Sequence, residues 1–350
     1  MGISPKKKTS LGEIAREAGV SRSAVSYALR NAPGVSKETR KRILQISERL
    51  GYSPDARIAS MMARIRETKN KETLPIAWIN TAPDIPTWQE LKYLSPYFEG
   101  AQKRAAEMGY RIDEIWAHTP GTTAKSISRI INQRGIEGVI LTYPARRFKL
   151  DWNRLAAVSI EGGLITPRLH RVMADSYHNL LLAIKMLQRY GYHRIGICFE
   201  KEVDKFSSHS LRAAATYAYA TNAKQNKVPP LFYTQRNEKQ WPAAKEAIAN
   251  WISKYKPRVI IGHSSQLVEA AEASGRKVPE DIGVVHIATD DDVTDWAGVS
   301  SNRRIIGATA VEKIIGLIRI HQFGIPTHSS DTKIRGSWHD GTTLQIPNLD

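Results

Sequence analysis

The sequence predicts an α/β chain in two parts: a three-helix head with a hinge helix behind it, and a larger body of two parallel-sheet halves. Three observations carry this. Residues 9–50 hold short, capped amphipathic helices and no strand pattern. The basic charge gathers in the same region: of 51 Lys and Arg and 34 Asp and Glu, 16 and 6 fall in residues 1–71, so +10 of the formal +17 sits there. From Leu74 onward, apolar β-type runs alternate with longer amphipathic stretches, the pattern of parallel strands packed between helices.

The head reads element by element. Residues 1–8 form a basic tail. Ser10 followed by Glu13 is a capping box, and Leu11, Ile14, Ala15 and Ala18 share one face, which predicts a first helix over 11–18. Gly19 suits a tight helix exit, Val20 can plug the core, and Ser21 can cap a second helix over 22–30. Ser36 opens a third helix with Ile43, Ile46 and Leu50 on its inner face. The head spans 9–53.

In the second helix Val25 and Leu29 point toward the other two, so the opposite face carries Arg22, Ser23, Ser26, Tyr27 and Arg30. A major groove admits a helix, and the first half of that helix reaches base edges. Arg22, Ser23 and Tyr27 are therefore the candidate base readers: arginine can grip guanine through two hydrogen bonds, serine discriminates weakly, and tyrosine offers a hydroxyl or packs on a thymine methyl. Ser10, Ser21, Ser26 and Arg30 are candidate contacts to the DNA backbone. The partner implied is double-stranded DNA.

Gly51-Tyr-Ser-Pro54 then sets a proline at a helix start, and a polar stretch over 64–73 separates the linker region 54–73 from the body. Strands are expected at 76–80, 111–116, 138–143, 156–160, 171–174, 194–199, 230–233, 258–262 and 283–287. Helices are expected at 96–108, 123–134, 177–190, 209–224, 240–254, 264–275 and 303–322. Two α/β halves follow, about 74–174 with 303–328 and 175–302 with 329–345, with a ligand cleft at the carboxyl ends of the strands.

Composition removes several classes. The single cysteine, Cys198, supports neither a disulfide framework nor a thiolate metal cluster. The basic start runs into polar residues, unlike a secretory signal, and no apolar run approaches the roughly 20 residues that span a bilayer. A cytoplasmic protein without membrane contact is expected. The phosphate-loop, dinucleotide, zinc-protease and nucleophile-elbow motifs are absent, so no enzyme and no cofactor is expected. Asp290, Asp291, Asp292 and Asp295 read as a solvated acidic loop in preference to a metal site.

The run Ser10-Leu-Gly-Glu-Ile-Ala-Arg-Glu-Ala-Gly-Val-Ser-Arg-Ser-Ala-Val-Ser-Tyr-Ala-Leu, with Gly34-Val-Ser-Lys-Glu-Thr-Arg and Gly51-Tyr-Ser-Pro, resembles the lactose-repressor (LacI) family. Weaker landmarks continue in family order through Tyr97–Gly100, Gly135–Leu141, Gly191–Ile195, Val278–Val285 and Ile306–Val311. The resemblance implies a repressor that binds a palindromic operator as a homodimer, and a body of the periplasmic-binding-protein type I architecture. A small molecule, carbohydrate-related, in its cleft would shift operator affinity. It also implies that residues matching Pro54 to Met62 form a hinge helix entering the minor groove, with Asp55, Arg57 and Met61 at that contact.

Departures matter as much. Tyr27 replaces a common arginine, Met61 a leucine and Asp55 an asparagine. Arg212 matches an effector-binding arginine, although Ala215 stands where a glycine is usual, and Asp175 matches an aspartate at a strand end. His263-Ser264 replaces an Asn-Asp pair and His286-Ile-Ala-Thr289 replaces Gly-Phe-Asp-Asp, removing two carboxylates that grip sugar hydroxyls. Trp88 and Trp296 could stack on a sugar ring. The candidate effector residues are thus Arg212, Asp175, Trp88, His263 and Trp296. Either the ligand is not an ordinary sugar or other groups hold it; a regulator whose body no longer binds ligand is the alternative. A solute-binding protein would carry an export signal and no basic helical head.

Overall fold

The computed structural model describes residues 10–29, 34–50, 52, 73–81, 94–117, 119, 121–142, 148–162, 166–235, 238–290 and 293–346. Arg30, Asp55, Arg57, Met61 and Trp88 lie outside these residues, as does the expected hinge helix. The chain divides into two compact units, the first over Met1–Thr73 with Arg319–His321 and the second over Leu74–Ile318 with Gln322–Asp350.

The first unit holds three helices, α1 (Leu11–Ala18), α2 (Arg22–Leu29) and α3 (Lys37–Arg49). They close around Ile14, Val25 and Ile43, all fully buried, with Ala15, Ala18, Ala28 and Ile46 filling the gaps. Ser10 and Glu13 form the capping box, and Gly19 ends α1 at φ +63°, a left-handed conformation that costs glycine little. Arg49 pairs with Glu17 across α3 and α1.

The second unit is built on two six-stranded sheets. The first runs in the order β11-β5-β4-β3-β1-β2, from β1 (Leu74–Asn80), β2 (Tyr110–Trp116), β3 (Gly138–Thr142), β4 (Ala156–Ile160), β5 (His170–Ala174) and β11 (Asp331–Ile334). The second runs β12-β10-β9-β8-β6-β7, from β6 (Ile195–Glu200), β7 (Leu231–Tyr233), β8 (Val259–Gly262), β9 (Gly283–His286), β10 (Gly298–Ser300) and β12 (Ser337–His339). Among the described pairings only β10 with β12 is antiparallel.

Helices cover both faces of each sheet, as parallel sheets require. On the first, α4 (Ser95–Glu107) and α11 (Arg303–Arg319) pack against Ile76, Trp78, Ile140 and Val158, while α5 (Ala124–Gln133) covers Ile79, Val139 and Leu141. On the second, α6 (Ser176–Arg189) and α8 (Ser210–Thr221) cover Ile197, Phe199 and Val285, and α9 (Trp241–Tyr255) and α10 (Leu267–Ala273) cover Cys198, Ile260 and Val284. Burial raises the Cys198 thiol pKa well above its ordinary value, so it packs as a small apolar group.

The chain passes between the two sheets three times: after β5 through α6, after β10 into α11, and after β11 into β12. The last passage is only Arg335-Gly336. There Gly336 N donates to Asn179 Oδ1 at 2.8 Å and Asn302 Nδ2 donates to the Arg335 carbonyl at 2.8 Å, strapping the three passages together. A Cβ at Gly336 would collide with the Ser300 carbonyl, so the crossing needs glycine. This corrects the expected division, which gave all of 329–345 to the second half: β11 pairs with β5 of the first sheet. A short helix, α7 (Lys201–Phe206), and strands β10, β11 and β12 were not among the expected elements.

Candidate DNA interface and ligand cleft

The second helix of the head is presented by packing on its far side. Val25 and Ala28 are buried and Leu29 packs partly against the same cluster, so burial falls on Ala28 as well as on the two residues expected. Arg22, Ser23 and Tyr27 stand exposed on the opposite side, and Ser26 is half-buried. Two candidate backbone contacts are also helix caps. Ser10 Oγ accepts from Glu13 N at 3.3 Å while Glu13 Oε2 accepts from Ser10 N at 2.7 Å, and Ser21 Oγ accepts from Ala24 N at 3.1 Å. Capping uses the oxygen of each hydroxyl and leaves its proton to donate, so a cap can also bind phosphate.

In the body, the ends of three strands of the second sheet open onto a cleft of about 390 Å³. Its lining comprises Glu200 at the end of β6, Val203 of α7, Tyr233 at the end of β7, Gln235 after it, Glu238, and His263, Ser264 and Ser265 after β8. Parallel strands end together there, and the loops leaving them cannot close over every end. The lining is a hydrogen-bonding surface. Burial and the neighbouring Glu202 raise the Glu200 carboxyl pKa, and burial raises that of the Tyr233 hydroxyl, keeping it a neutral donor. Burial, His286 and Arg303 lower the His263 pKa to about 3, so its imidazole is neutral at pH 7.

Of the effector residues expected from sequence, His263 lines this cleft. Trp296 is not in the lining and is linked to it through His286: its ring meets His286 edge-on at 6.2 Å, and the His286 ring lies 5.1 Å from that of His263. Asp175 caps α6 by accepting from His178 N at 3.2 Å. Arg212 is engaged elsewhere. Its Nε donates to the buried Asp204 at 3.0 Å, its backbone N donates to the same carboxylate at 2.9 Å, and its guanidinium lies 3.8 Å over the Phe232 ring. Asp204, reached also by His209 Nδ1 at 3.0 Å, thereby ties α7 to the start of α8. Glu200, Tyr233 and Gln235 were not singled out from the sequence. The signal was present, since Glu200 directly follows one expected strand, Tyr233 ends another and Gln235 comes two residues after it.

A second polar cluster sits where the chain crosses between the halves. Tyr97 of α4 donates its hydroxyl to Glu161 Oε1 at 2.9 Å, and Ala174 N donates to the same oxygen at 3.2 Å. Burial raises the Glu161 carboxyl pKa, and Glu161 holds φ +59°. Arg303, the first residue of α11, lies 6.0 Å over the Tyr97 ring and pairs with Asp290 at 3.4 Å, both side chains buried. Asp290 also accepts from Ser300 Oγ at 2.8 Å, Ser301 N at 3.0 Å and Arg303 N at 3.3 Å. It is therefore a buried anchor of the crossing, which corrects its expected place in a solvated acidic loop. No group of three metal-ligating side chains occurs among the described residues, and no described helix is long and apolar enough to cross a membrane.

A helix-turn-helix head and a two-sheet α/β body with its cleft at the strand ends define a DNA-binding regulatory protein with a binding-protein body. Residues 10–55 match the family described as bacterial regulatory proteins, lacI family, and residues 184–337 match the periplasmic binding protein-like domain. In its head the chain thus matches the LacI family, and in its body the periplasmic binding protein-like domain. It is 26% identical over 196 residues to the HTH-type transcriptional regulator GalS of Salmonella typhimurium, covering 53% of this chain and 52% of GalS. It is 21% identical over 323 residues to the HTH-type transcriptional repressor PurR of Aliivibrio salmonicida, covering 88% and 91%. The chain thus spans about half the length of GalS and most of PurR. The crystal structure of the lac repressor dimer bound to operator and the anti-inducer ONPF shares the fold, with a TM-score of 0.54 at 16% identity over 97% of this chain and 100% of that one. These relatives are transcriptional regulators, not enzymes.

Proposed function

We propose that this protein is a cytoplasmic transcriptional repressor that binds a palindromic operator as a homodimer, releasing or tightening it when a small molecule occupies the cleft of its body. The observation that carries the DNA reading is the exposure of Arg22, Ser23 and Tyr27 along one side of a helix whose other side is locked into the head's core. Ser10, Ser21, Ser26 and Arg30 then contact phosphates, and Asp55, Arg57 and Met61 meet the minor groove. Selection of bound sequences from random duplexes tests this. The parent should select a palindrome, and Arg22→Ala should relax one position symmetrically in both half-sites, losing about tenfold or more in base discrimination, as loss of a bidentate arginine–guanine contact implies. An unchanged motif in that variant would remove Arg22 from the reading set.

The ligand reading rests on the cleft lined by Glu200, Tyr233, Gln235, His263 and Ser264, which offers hydrogen-bond donors and acceptors of the kind that hold hydroxyl-bearing, carbohydrate-related molecules. Arg212, Asp175, Trp88 and Trp296 belong to this reading as residues through which the cleft would be completed or braced. Thermal unfolding against a panel of sugars and sugar derivatives should reveal compounds that raise Tm, by about 2.7 kcal/mol of stabilisation at a hundredfold excess over Kd. A panel without any shift would favour the alternative, a regulator whose body no longer responds to ligand.

A further inference from the structure

Gly12 occupies the second position of α1, after the cap Ser10 and Leu11. A glycine inside a helix costs up to about 1 kcal/mol relative to alanine, and nothing in the backbone there calls for it: the residue is helical, with none of the positive φ that Gly19 shows. The reason lies across the helix pair. A Cβ built on Gly12 would stand 3.0 Å from Arg22 Nη2, 3.1 Å from Nε and 3.3 Å from Cζ. The guanidinium of Arg22 thus lies against Gly12, with three of its atoms so near that a methyl group at position 12 would make them give by a few tenths of an ångström.

We propose that Gly12 is a specificity-determining residue of the head, acting by seating the Arg22 side chain in one orientation above the first turn of α1. The inference rests on the reading of Arg22 as a base contact. Arginine carries about 2 kcal/mol of side-chain rotamer entropy, and a long side chain held before binding loses less of it on reaching a base. The flat guanidinium needs a flat support. Glycine leaves that space open on α1, while any other residue at position 12 places a methyl or larger group against the fork and shifts it. The helix gives up intrinsic stability at this position and gains a defined approach for the reading arginine.

The test uses the full chain and four proteins: the parent, Gly12→Ala, Arg22→Ala and the double variant, each taken through bound-sequence selection and thermal unfolding. Gly12→Ala should leave Tm unchanged or raised, because alanine favours the helix and the displaced group is the mobile end of a side chain. It should nevertheless weaken discrimination roughly fivefold at the same base pair that Arg22→Ala relaxes. In the double variant the effect of Gly12→Ala should vanish, since its route is gone. Gly12→Ala with the parent's motif, beside an Arg22→Ala that relaxes it, overturns the role of Gly12 alone. An Arg22→Ala that relaxes nothing overturns the reading of Arg22 and this inference with it. A shift caused by Gly12→Ala that persists in the double variant also overturns it, since Gly12 would then act without Arg22.

Discussion

Gly307→Ala should destabilise the body by about 3 kcal/mol or more, read as a fall in Tm of roughly 6–12 °C for a unit of this size. Gly307 lies on α11 where that helix crosses α4, and a Cβ there would fall inside the van der Waals envelope of the Tyr97 carbonyl. The contact is reciprocal. A Cβ at Gly100 on α4 would strike the carbonyl of Arg304 on α11. The two helices therefore touch backbone to backbone at a pair of glycines, and a methyl group on either must push them apart over the core of Trp78, Ile140 and Val158. Alanine's better helix propensity, about 1 kcal/mol, cannot offset that separation. Gly316→Ala on the same helix is the control: a Cβ there meets nothing within 4 Å, and the variant should be as stable as the parent or slightly more so. Equal Tm values for the two variants would show that the crossing is loose.

Arg303→Met should cost about 3–5 kcal/mol in urea unfolding, because it leaves the Asp290 carboxylate buried without its cation. Methionine keeps the apolar stem and removes the guanidinium, isolating the charge. The remaining donors to Asp290, from Ser300, Ser301 and the Arg303 backbone, are neutral groups and cannot replace that charge. Adding Asp290→Asn should restore part of the loss, since it removes the charge while the amide oxygen keeps the bonds from Ser300 Oγ and Arg303 N, which share one carboxylate oxygen. A single variant as stable as the parent would mean that the pair does not hold the start of α11.

The parts of this molecule legible in its sequence are those where local pattern and burial agree. Ser10 and Glu13 announced α1, and runs such as Gly-Val-Ile-Leu-Thr over Gly138–Thr142, buried throughout, could only be an inner strand. Strands β10, β11 and β12 were hidden because they are three or four residues long, and β11 and β12 lie at sheet edges. Asp331-Thr-Lys-Ile is half exposed and polar, a sequence that reads equally well as loop. In the site, His263 could be found because it directly follows a strand. The ties of Arg212 to Asp204 and of Arg303 to Asp290 could not, since eight and thirteen residues separate the partners and no helical or strand period joins them. Asp290 looked solvated for the same reason. Its acidic neighbours in sequence suggested water, whereas its neighbours in space are three donors and a guanidinium.

The lacing of the two sheets by Asp331–His339 bears on how the chain is made. On a ribosome, β5 and β10 emerge long before the strands that cover their outer edges, so each half waits with an unpaired edge until β11 and β12 follow in close succession. Open edges of this kind pair readily with other strands, which makes the interval before those nine residues appear the time when a nascent chain is most exposed to association with its neighbours. Completion is then nearly simultaneous for both halves, because one short segment seals the two sheets across the Arg335-Gly336 crossing.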